Sequence, residues 1–564
     1  MDLKTQAAKT LQKITLLPMA EIESLIEVPP DPTLGDLAFP CFILSKKFKK
    51  SPGQIAMELR DKLLVPKGFK KVEVAGPYLN FYYDVSALSE KVLKQATKKD
   101  FGINKPNQKT VIIEFPSPNT NKPLHLGHIR NMALGTSVSN VFEILGFKVK
   151  RINLNNDRGI HICKSMLSYQ KWGKNKQPNK KSDHFVGDFY VKYSQEVKED
   201  SNLEREARIM LKAWELKDKK VRALWKKMNT WAFNGFKETY DRFGVKFDRE
   251  YYESETYEKG RQIVLDGLKR KLFYEDKTGA VMFDLDKYGL GQKVMVRSDG
   301  TTVYITQDIY LAQKKFEDFK FDKSVYVVAS EQNYHFNVLF QALKVLGYKW
   351  AKSCFHLSYG MVFLPEGRMK SREGTVVDAD ELMDKMSSLA LKEVKKRNPK
   401  LAVKKQKDIA EKIGLAAIKY FILKFSARKD ITFNPKETIS FEGDTGPYLQ
   451  YSLVRASKIL KKSKKKVSAD VEFDILNSKE EKSLIKQISK FPEVIEQAAE
   501  QYSPHLIANY SYKLAQKFST FYSKHRVIGA SAKEEKARLV LVKAFYETLK
   551  KALNLLGMEE VDVM

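Results

Sequence analysis

Residues 110–128 read TVIIEFPSPNTNKPLHLGH, and this stretch sets the fold of the region around it. Thr110–Phe115 (TVIIEF) has the composition of a buried strand, and a loop rich in proline and asparagine follows it. A helical pattern runs from about His125 to Leu145, after which Phe147–Leu154 reads as a second strand. A strand, a helix and a strand in this order form a βαβ unit, so the sequence predicts a parallel sheet of the nucleotide-binding α/β type.

The flanking segments extend this prediction in both directions. Alternating strand and helix patterns return between Tyr304 and about Leu364, whereas residues of about 160–300 are mainly helical in periodicity. Residues 1 to about 105 read as a smaller α/β unit, and from about residue 380 the pattern is helical to the end. We therefore predict a Rossmann-type parallel-sheet domain with a helical insertion, an N-terminal α/β domain and a C-terminal all-α bundle.

The predicted boundaries follow from these changes of pattern. The N-terminal domain spans 1–105, and the sheet domain spans 106–375 with its insertion at about 160–300. A helical stem spans 376–430, and the C-terminal bundle spans 431–564.

Charge and composition narrow the classes of function. The chain has 564 residues and a formal net charge of +31. A protein this basic commonly binds a polyanion, with nucleic acid the first candidate, although solvated lysines on an ordinary surface would give the same count. The three cysteines lie far apart, which excludes a disulfide framework or a four-cysteine zinc site. No long uncharged apolar run and no signal-peptide pattern are present, so a cytoplasmic protein without a membrane span is expected.

The loop after the first strand carries the most informative side chains. Neither a P-loop nor a G-x-G-x-x-G fingerprint is present. Instead His125 and His128 stand three residues apart at a helix N-terminus, where free backbone N–H groups and the helix dipole favour phosphate. Gly127 between them leaves room for a base or ribose. This pattern predicts an ATP site with imidazole donors. The alternative is a pair of surface histidines, and a metal site is disfavoured because no third ligand stands at a suitable spacing.

Four motifs together resemble one enzyme family. His125-Leu126-Gly127-His128 resembles the HIGH signature of class I aminoacyl-tRNA synthetases. Tyr304–Asp308 (YITQD), Gln332 and Asp444–Tyr451 (DTGPYLQY) are similar to an arginine-pocket motif, a pocket glutamine and the start of the anticodon-binding domain of arginyl-tRNA synthetases. The resemblance covers nearly the whole chain.

This resemblance implies an arginine–tRNA ligase. Arginine and ATP would form arginyl-adenylate and pyrophosphate, and the arginyl group would then pass to the terminal adenosine of the tRNA for arginine. Catalysis in such a reaction depends on positioning and charge stabilisation rather than on an enzyme nucleophile. Mg²⁺ would accompany ATP, no structural metal is expected, and the enzyme is expected to be a monomer. The N-terminal domain would recognise tRNA and the C-terminal bundle would bind the anticodon.

The second signature motif of class I enzymes, K-M-S-K-S, is altered in this chain. The corresponding stretch is RMKSREG, residues 368–374, with Ser371 in place of the second lysine. The resemblance implies that Lys122, just before the HIGH motif, replaces the missing cation. Lys370 and Arg372 would assist it, and Met369 and Lys370 would contact ATP beside His125, Gly127 and His128.

Arginine selectivity also has a predicted set of residues. A guanidinium is a planar fork of five donors, which carboxylates match best. By resemblance, Glu114 and Asp308 would face the substrate, with Asp308 accepting from the guanidinium. Tyr304 would cover the apolar stem of arginine, and Asn119 and Gln332 would orient its α-amino and carboxylate groups.

The predicted tRNA contacts lie in the C-terminal region. Tyr448, Tyr451 and Arg455 carry planar groups suited to stacking on anticodon bases. Lys464, Lys465 and Lys466 belong to a lysine run that is either a phosphate contact or a solvated face.

Two alternatives remain at this point. A non-catalytic tRNA-binding paralogue would share the fold, but it would be expected to lack the histidine pair or Asp308, and both are present. A synthetase for cysteine would need metal ligands for a thiolate, which the scattered cysteines do not favour.

Overall fold

The computed structural model describes residues 3–363, 365, 377–463 and 467–564. The chain divides into two units. One unit comprises Met1–Phe101, Arg455–Phe491 and Lys513–Thr548, and the other comprises Gly102–Val454, Pro492–Tyr512 and Leu549–Met564.

The N-terminal region is a small α/β structure, as predicted. Its strands β1 (Leu37–Pro40), β2 (Phe69–Ala75) and β3 (Tyr78–Tyr83) form an antiparallel sheet in the order β1-β3-β2, in which Val72, Leu79 and Phe81 are fully buried. Ser51 caps α4, and its hydroxyl accepts from the backbone N–H of Gln54. The elements are α1 (Leu3–Thr15), α2 (Met19–Leu25), β1 (Leu37–Pro40), α3 (Ser45–Phe48), α4 (Pro52–Lys62), β2 (Phe69–Ala75), β3 (Tyr78–Tyr83) and α5 (Val85–Ala96).

The stretch that begins at Thr110 forms the predicted βαβ unit. It consists of β4 (Thr110–Glu114), α6 (Leu126–Ile144) and β5 (Lys148–Asn155). Val111, Ile112 and Ile113 are completely buried, which is why the run carries β-branched residues without polar alternation. The two strands pair in parallel, from Thr110 opposite Lys148 to Glu114 opposite Ile152.

The helical insertion follows β5 and has its own core. Aromatic rings of Tyr169, Phe185 and Trp231 meet edge to face within it. Its helices are α7 (Ile160–Trp172), α8 (Ser182–Glu196), α9 (Asn202–Glu215) and α10 (Lys219–Phe243).

The helical prediction fails in the last part of this region. After β6 (Arg249–Tyr252), α11 (Glu253–Thr256) and α12 (Gly260–Lys269), the chain forms a three-stranded antiparallel sheet, β7 (Tyr274–Glu275), β8 (Val281–Asp284) and β9 (Gln292–Val296). Gly279, Gly289 and Gly291 adopt positive φ angles in its turns, which glycine tolerates without steric cost. Closely spaced glycines mark turns in a sequence, and an interpretation based on helical periodicity overlooks them.

The parallel sheet is completed by the next segment. It contains α13 (Tyr304–Phe319), β10 (Lys323–Ala329), α14 (Asn333–Val345), β11 (Cys354–Tyr359) and β12 (Val362–Phe363). The strand order is β11-β10-β4-β5-β6, and all four pairings are parallel. The order reverses between β4 and β10, so the crevice for a ligand is expected at the carboxyl ends of these two strands.

Helices make up most of the remainder. They are α15 (Ala379–Arg397), α16 (Val403–Leu423), α17 (Pro435–Thr438), α18 (Gly446–Lys462), α19 (Lys479–Ser489), α20 (Phe491–Glu500), α21 (His505–Lys524) and α22 (Ala532–Leu555), with the short strand β13 (Ile431–Thr432) paired to β12. The α/β class with a C-terminal helical region is therefore confirmed. None of the helices in the described ranges has the length and apolar content that a membrane crossing needs.

Arg130 on α6 fixes two loops beside the sheet. Its side chain is fully buried, and its two terminal nitrogens donate to four backbone carbonyls. Nη1 donates to Gly360 (2.8 Å) and Met361 (3.0 Å), and Nη2 donates to Ala427 (2.9 Å) and Lys429 (2.7 Å). Only a guanidinium presents so many donors in a planar fork, so the position requires arginine.

Arg130→Lys should therefore destabilise the second unit. A single ammonium cannot reach four carbonyls on two segments, and carbonyls left unpaired in the interior cost roughly 2–5 kcal/mol together. Tryptophan fluorescence during urea unfolding measures this unit alone, because all five tryptophans lie in it: Trp172, Trp214, Trp225, Trp231 and Trp350. The exposed Arg208→Lys is the matched control and should shift stability by less than about 0.5 kcal/mol. Equal stability of the two variants would contradict the anchoring role of Arg130.

Candidate active site

The candidate site lies where the strand order reverses. The loop with the two histidines follows β4, and a 3₁₀ turn, Ser330–Gln332, follows β10. Both loops therefore lie at the carboxyl ends of neighbouring strands, which pair from Lys323 opposite Val111 to Tyr326 opposite Glu114.

The two histidines fold onto each other at the start of α6. His125 is the residue before the first turn, and its Nδ1 accepts from the backbone N–H of Gly127 at 3.1 Å. The Nδ1 of His128 accepts from the backbone N–H of His125 at 3.1 Å, and the ring centroids are 3.9 Å apart. A Cβ on Gly127 would lie 2.9 Å from Cε1 of His125, so the glycine is required by the imidazole itself as well as by any ligand.

These contacts determine what the imidazoles can donate. Burial and, to a smaller extent, the neighbouring Lys122 lower the pKa of His125 to about 4, while Asp378 opposes the shift. Burial also holds the pKa of His128 well below its ordinary value. Both rings are therefore neutral near pH 7. Since each Nδ1 is an acceptor, the proton of each ring is on Nε2, which leaves two N–H donors without a full charge.

Lys122 lies on the wall of a cavity next to His125. The cavity measures about 290 Å³, and Tyr190 and Asp378 also line it. Burial lowers the pKa of Lys122 from its usual range. The opposite wall is α8, which approaches so closely that a Cβ on Gly187 would lie 2.7 Å from Cδ of Pro123.

A larger cavity of about 750 Å³ lies beside the N-terminus of α13. Tyr304 and Gln307 from α13, Glu253 from α11 and Arg158 line it. Glu253 is buried, and burial raises the pKa of its carboxyl to about 7, with Arg158 opposing the shift and Asp157 and Asp308 adding to it. The guanidinium of Arg158 lies 4.1 Å from the ring centroid of Tyr257 and 2.7 Å from an oxygen of Glu215.

The predicted arginine residues occupy different surroundings. Tyr304 and Asp308 lie one turn apart on α13, on one face of that helix. Tyr304 is 68% exposed, and Asp308 Oδ2 lies 2.6 Å from Nε2 of His335. Glu114 is buried at the end of β4 and forms an ion pair with the equally buried Lys315, so its carboxylate already has a cationic partner inside the protein.

Asn119 and Gln332 are exposed on the two loops that border the crevice. Asn119 pairs with Asn156 through a parallel backbone bridge, and Gln332 ends the 3₁₀ turn after β10. The second signature motif cannot be placed, since Met369, Lys370, Ser371 and Arg372 lie outside the described residues.

Three of the predicted tRNA residues, Tyr448, Tyr451 and Arg455, lie on α18. Tyr448 meets Tyr512 edge to face at 5.9 Å, and Tyr451 is half-buried against a hydrophobic core that includes Ile413. The guanidinium of Arg455 lies 4.7 Å from the ring centroid of Tyr522. Lys464, Lys465 and Lys466 lie outside the described residues.

Glu253 and Arg158 are among the side chains of the larger cavity that were not predicted from the sequence. Glu253 directly follows the short strand β6, where a carboxylate at the end of a parallel strand is a recognisable signal. Arg158 follows β5 in the segment Asn156-Asp157-Arg158-Gly159, and no local pattern distinguishes it from a surface arginine.

Comparison with known proteins gives matches along the chain. The family model described as "tRNA synthetases class I (R), catalytic domain" matches residues 89–434. The models described as "Arginyl tRNA synthetase N terminal domain" and "DALR anticodon binding domain" match residues 1–83 and 449–564.

Individual proteins also match this chain along nearly its whole length. A protein of Treponema denticola named "Arginine--tRNA ligase" is 45% identical over 559 residues, which cover 96% of this chain and 94% of that protein. One of the same name from Parabacteroides distasonis is 42% identical over 93% of each chain. The structure of the Thermus thermophilus arginyl-tRNA synthetase superposes with a TM-score of 0.87 at 26% identity, covering 100% of this chain and 99% of that one. The Plasmodium falciparum arginyl-tRNA synthetase, at 21% identity and a TM-score of 0.83, shares the fold over 100% and 98% of the chains.

Proposed function

The chain belongs to the class I arginyl-tRNA synthetases, and we propose how its residues divide the work of activating arginine with ATP and joining it to tRNA. It is an arginine–tRNA ligase, like relatives 42–45% identical over nearly the whole chain. The arginine carboxylate attacks the α-phosphate of ATP and pyrophosphate leaves. A ribose hydroxyl of the terminal adenosine then attacks the carbonyl carbon of arginyl-adenylate, and AMP leaves.

The observation that carries the proposed site is the pair of neutral imidazoles at the crevice. Each has its Nδ1 occupied by a backbone N–H, so each offers Nε2–H to the ATP phosphates. A preorganised donor in a dry site stabilises charge in the transition state without reorganising first. The N-terminus of α6 adds backbone N–H groups and the positive end of its dipole. We assign His125, Gly127 and His128 to ATP on this basis.

Lys122 supplies the cation that the altered signature motif lacks. Its position on the cavity wall beside His125 and its lowered pKa both indicate a largely desolvated ammonium, whose field acts more strongly than in water. On the motif alone, we assign Lys370 and Arg372 as residues that assist Lys122, and Met369 and Lys370 as ATP contacts. Mg²⁺ would enter with ATP, held by phosphate oxygens and water as is usual for this ion.

Arginine occupies the larger cavity in this proposal. The guanidinium would lie between Asp308 and the newly recognised Glu253, and Tyr304 would close over the aliphatic stem. Asn119 and Gln332, on the two bordering loops, would orient the α-amino and carboxylate groups. Glu114 keeps a role only through its buried ion pair with Lys315, which fixes the end of β4 below the site.

The tRNA would be held at both ends of the chain. We assign recognition of tRNA to residues 1–105 and anticodon binding to the helical region 431–564, with Tyr448, Tyr451, Arg455 and Lys464–Lys466 as candidate contacts. Residues 106–375 would form the catalytic domain and 376–430 its helical stem. We further propose that the enzyme acts as a monomer in the cytoplasm. Charging of total tRNA with each of the twenty amino acids tests the assignment directly, with arginine alone expected to be incorporated.

Lys122→Ala should lower kcat for adenylate formation by roughly two to three orders of magnitude, because one transition-state donor is lost. The Kd for arginine should change little. ATP–pyrophosphate exchange in the presence of tRNA measures the first effect. Lys148→Ala, an exposed lysine at the amino end of β5, is the control and should retain full activity. If Ser371→Lys alone raised activity while Lys122→Ala had no effect, the assignment of Lys122 would be wrong.

Asp308→Asn should lower kcat/KM for arginine by roughly 10²–10³ or more, equivalent to about 3–5 kcal/mol. The substitution keeps the shape but removes the charge and turns an NH₂ toward the donors of the guanidinium. Citrulline, which carries an acceptor oxygen and no charge, should be rejected less strongly by the variant. Charging with arginine in competition with citrulline measures both effects. Glu317→Gln on the exposed side of α13 is the control, and an Asp308→Asn enzyme within threefold of the parent would remove Asp308 from the pocket.

Arginine should bind about tenfold more weakly at pH 6 than at pH 8, because the pKa of Glu253 is about 7 and only its ionised form attracts a cation. Calorimetry in buffers of different ionisation enthalpy should show that binding near pH 6.5 releases a proton. Glu253→Gln separates the effect of this carboxyl from the effects of other titrating groups. The affinity of the variant for arginine should be lower than that of the parent at pH 8 and should change little with pH. Equal affinity of the parent at pH 6 and pH 8 would show that Glu253 does not bind the guanidinium.

A further inference from the structure

A histidine on the helical insertion contacts the segment that runs alongside the HIGH motif. His184, on α8, places its Nε2 3.2 Å from Oδ2 of Asp378 and 3.5 Å from Oδ2 of Asp380. Asp378 is the cap of α15, and its other oxygen accepts from the backbone N–H groups of Asp380 and Glu381. The imidazole therefore bridges the first turn of α15 to the insertion.

The same segment holds His125 through the backbone. The N–H of Leu126 donates to the carbonyl of Val377 at 3.0 Å, and the N–H of Ala379 donates to the carbonyl of Leu124 at 3.0 Å. His125 and Asp378 are thus directly opposite each other in a short antiparallel bridge. A displacement of Asp378 would move the backbone on both sides of His125.

The carboxylates around His184 have cationic partners within the protein. Lys181 Nζ lies 2.9 Å from Asp183 and 3.0 Å from Asp380, so its ammonium occupies the space among the carboxylates of Asp183 and Asp380. The nearby carboxylates of Asp378 and Asp380 raise the pKa of His184 to about 10, against the effect of burial. Burial would raise the pKa of Asp380, but its contacts with His184 and Lys181 lower it to about 2. The ion pairs are therefore fully formed at neutral pH.

We propose that His184 is a positioning residue for ATP: it holds Asp378, and through the bridge of residues 124–126 with 377–379 it fixes the imidazole of His125 at the phosphates. The inference rests on the proposed role of His125. It assigns to the helical insertion a part in arginine activation, because α8 supplies the histidine and also forms the wall opposite Lys122 in the smaller cavity.

Aminoacylation at saturating tRNA, with ATP and arginine varied separately, tests the proposal. His184→Ala should lower kcat/KM for ATP about 10- to 100-fold, the scale expected when a catalytic group is misplaced by about 1 Å. The KM for arginine should stay within about twofold, since neither His184 nor its partners Asp378 and Asp380 line the larger cavity. A loss spread equally over ATP and arginine would indicate a structural role only and would overturn the proposal.

Two further measurements test the charge at position 184 and the energetic coupling of His184 to a neighbouring carboxylate. His184→Lys keeps a cation near both carboxylates and should recover kcat/KM for ATP to within about threefold of the parent; a folded His184→Lys enzyme no better than His184→Ala would overturn the proposal. Asp378→Asn preserves the side-chain shape and an oxygen for the helix cap, and combining it with His184→Ala should cost less than the product of the two single losses, because both act through the His184–Asp378 contact. Fully multiplicative losses would mean that the two residues act independently, against the proposal.

Two controls separate this inference from the function on which it rests. Lys237→Ala removes an exposed ion pair on α10 of the same insertion and should leave all constants unchanged. His125→Ala should lose activity on ATP more severely than any His184 variant. If His125→Ala were nearly fully active, the proposed ATP site would fail. If His125→Ala were inactive while His184→Ala matched the parent, only the positioning role of His184 would fail.

Discussion

The buried guanidinium of Arg130 is the interaction on which the catalytic crevice depends. Its four hydrogen bonds tie α6 to the segment after β11 and to the turn before β13, which are separated in sequence by more than 60 residues. The same helix carries His125 and His128 on its first turn. One desolvated cation, balanced by carbonyl dipoles rather than by a carboxylate, therefore fixes the donors of the site relative to the sheet.

Desolvation gives the site its chemical character. It removes the charge from His125 and His128, lowers the pKa of Lys122 and raises that of Glu253. Each of these pKa shifts moves the side chain toward its uncharged form in the enzyme without substrate. A phosphate or a guanidinium that enters such a site meets weakly solvated partners, and its interactions with them are stronger than in water. In the proposed site, the unfavourable burial of these groups in the free enzyme would thus be a source of attraction for charged substrates.

The sequence predicts the parts of this protein whose signals are local. The βαβ unit over residues 110–154 follows from a β-branched run, a helical period and a terminating glycine. The histidine motif lies where the loop after β4 meets the start of α6. Contacts between distant segments carry no such signal. Lys315 neutralises Glu114, and His184 reaches Asp378 from another domain region, yet neither pairing can be read from spacing. The small sheet of β7, β8 and β9 was missed because its strands are too short to establish a period against the helices around it.

Glu253 lines the larger cavity and Asp308 lies one turn after Tyr304 on α13, and their surroundings suggest why the proposed arginine site would use both. Asp308 already faces His335 at 2.6 Å, so part of its field is directed into the protein. Glu253 has no ion pair among the described residues and is close to half-protonated at neutral pH. A guanidinium presents donors along two edges and can satisfy both groups, which draws Glu253 into its ionised form. A lysine ammonium is a compact charge that reaches one carboxylate at a time, and a neutral side chain gives Glu253 no reason to ionise. Selectivity in this arrangement comes from the geometry of the second acceptor, since charge alone would admit lysine.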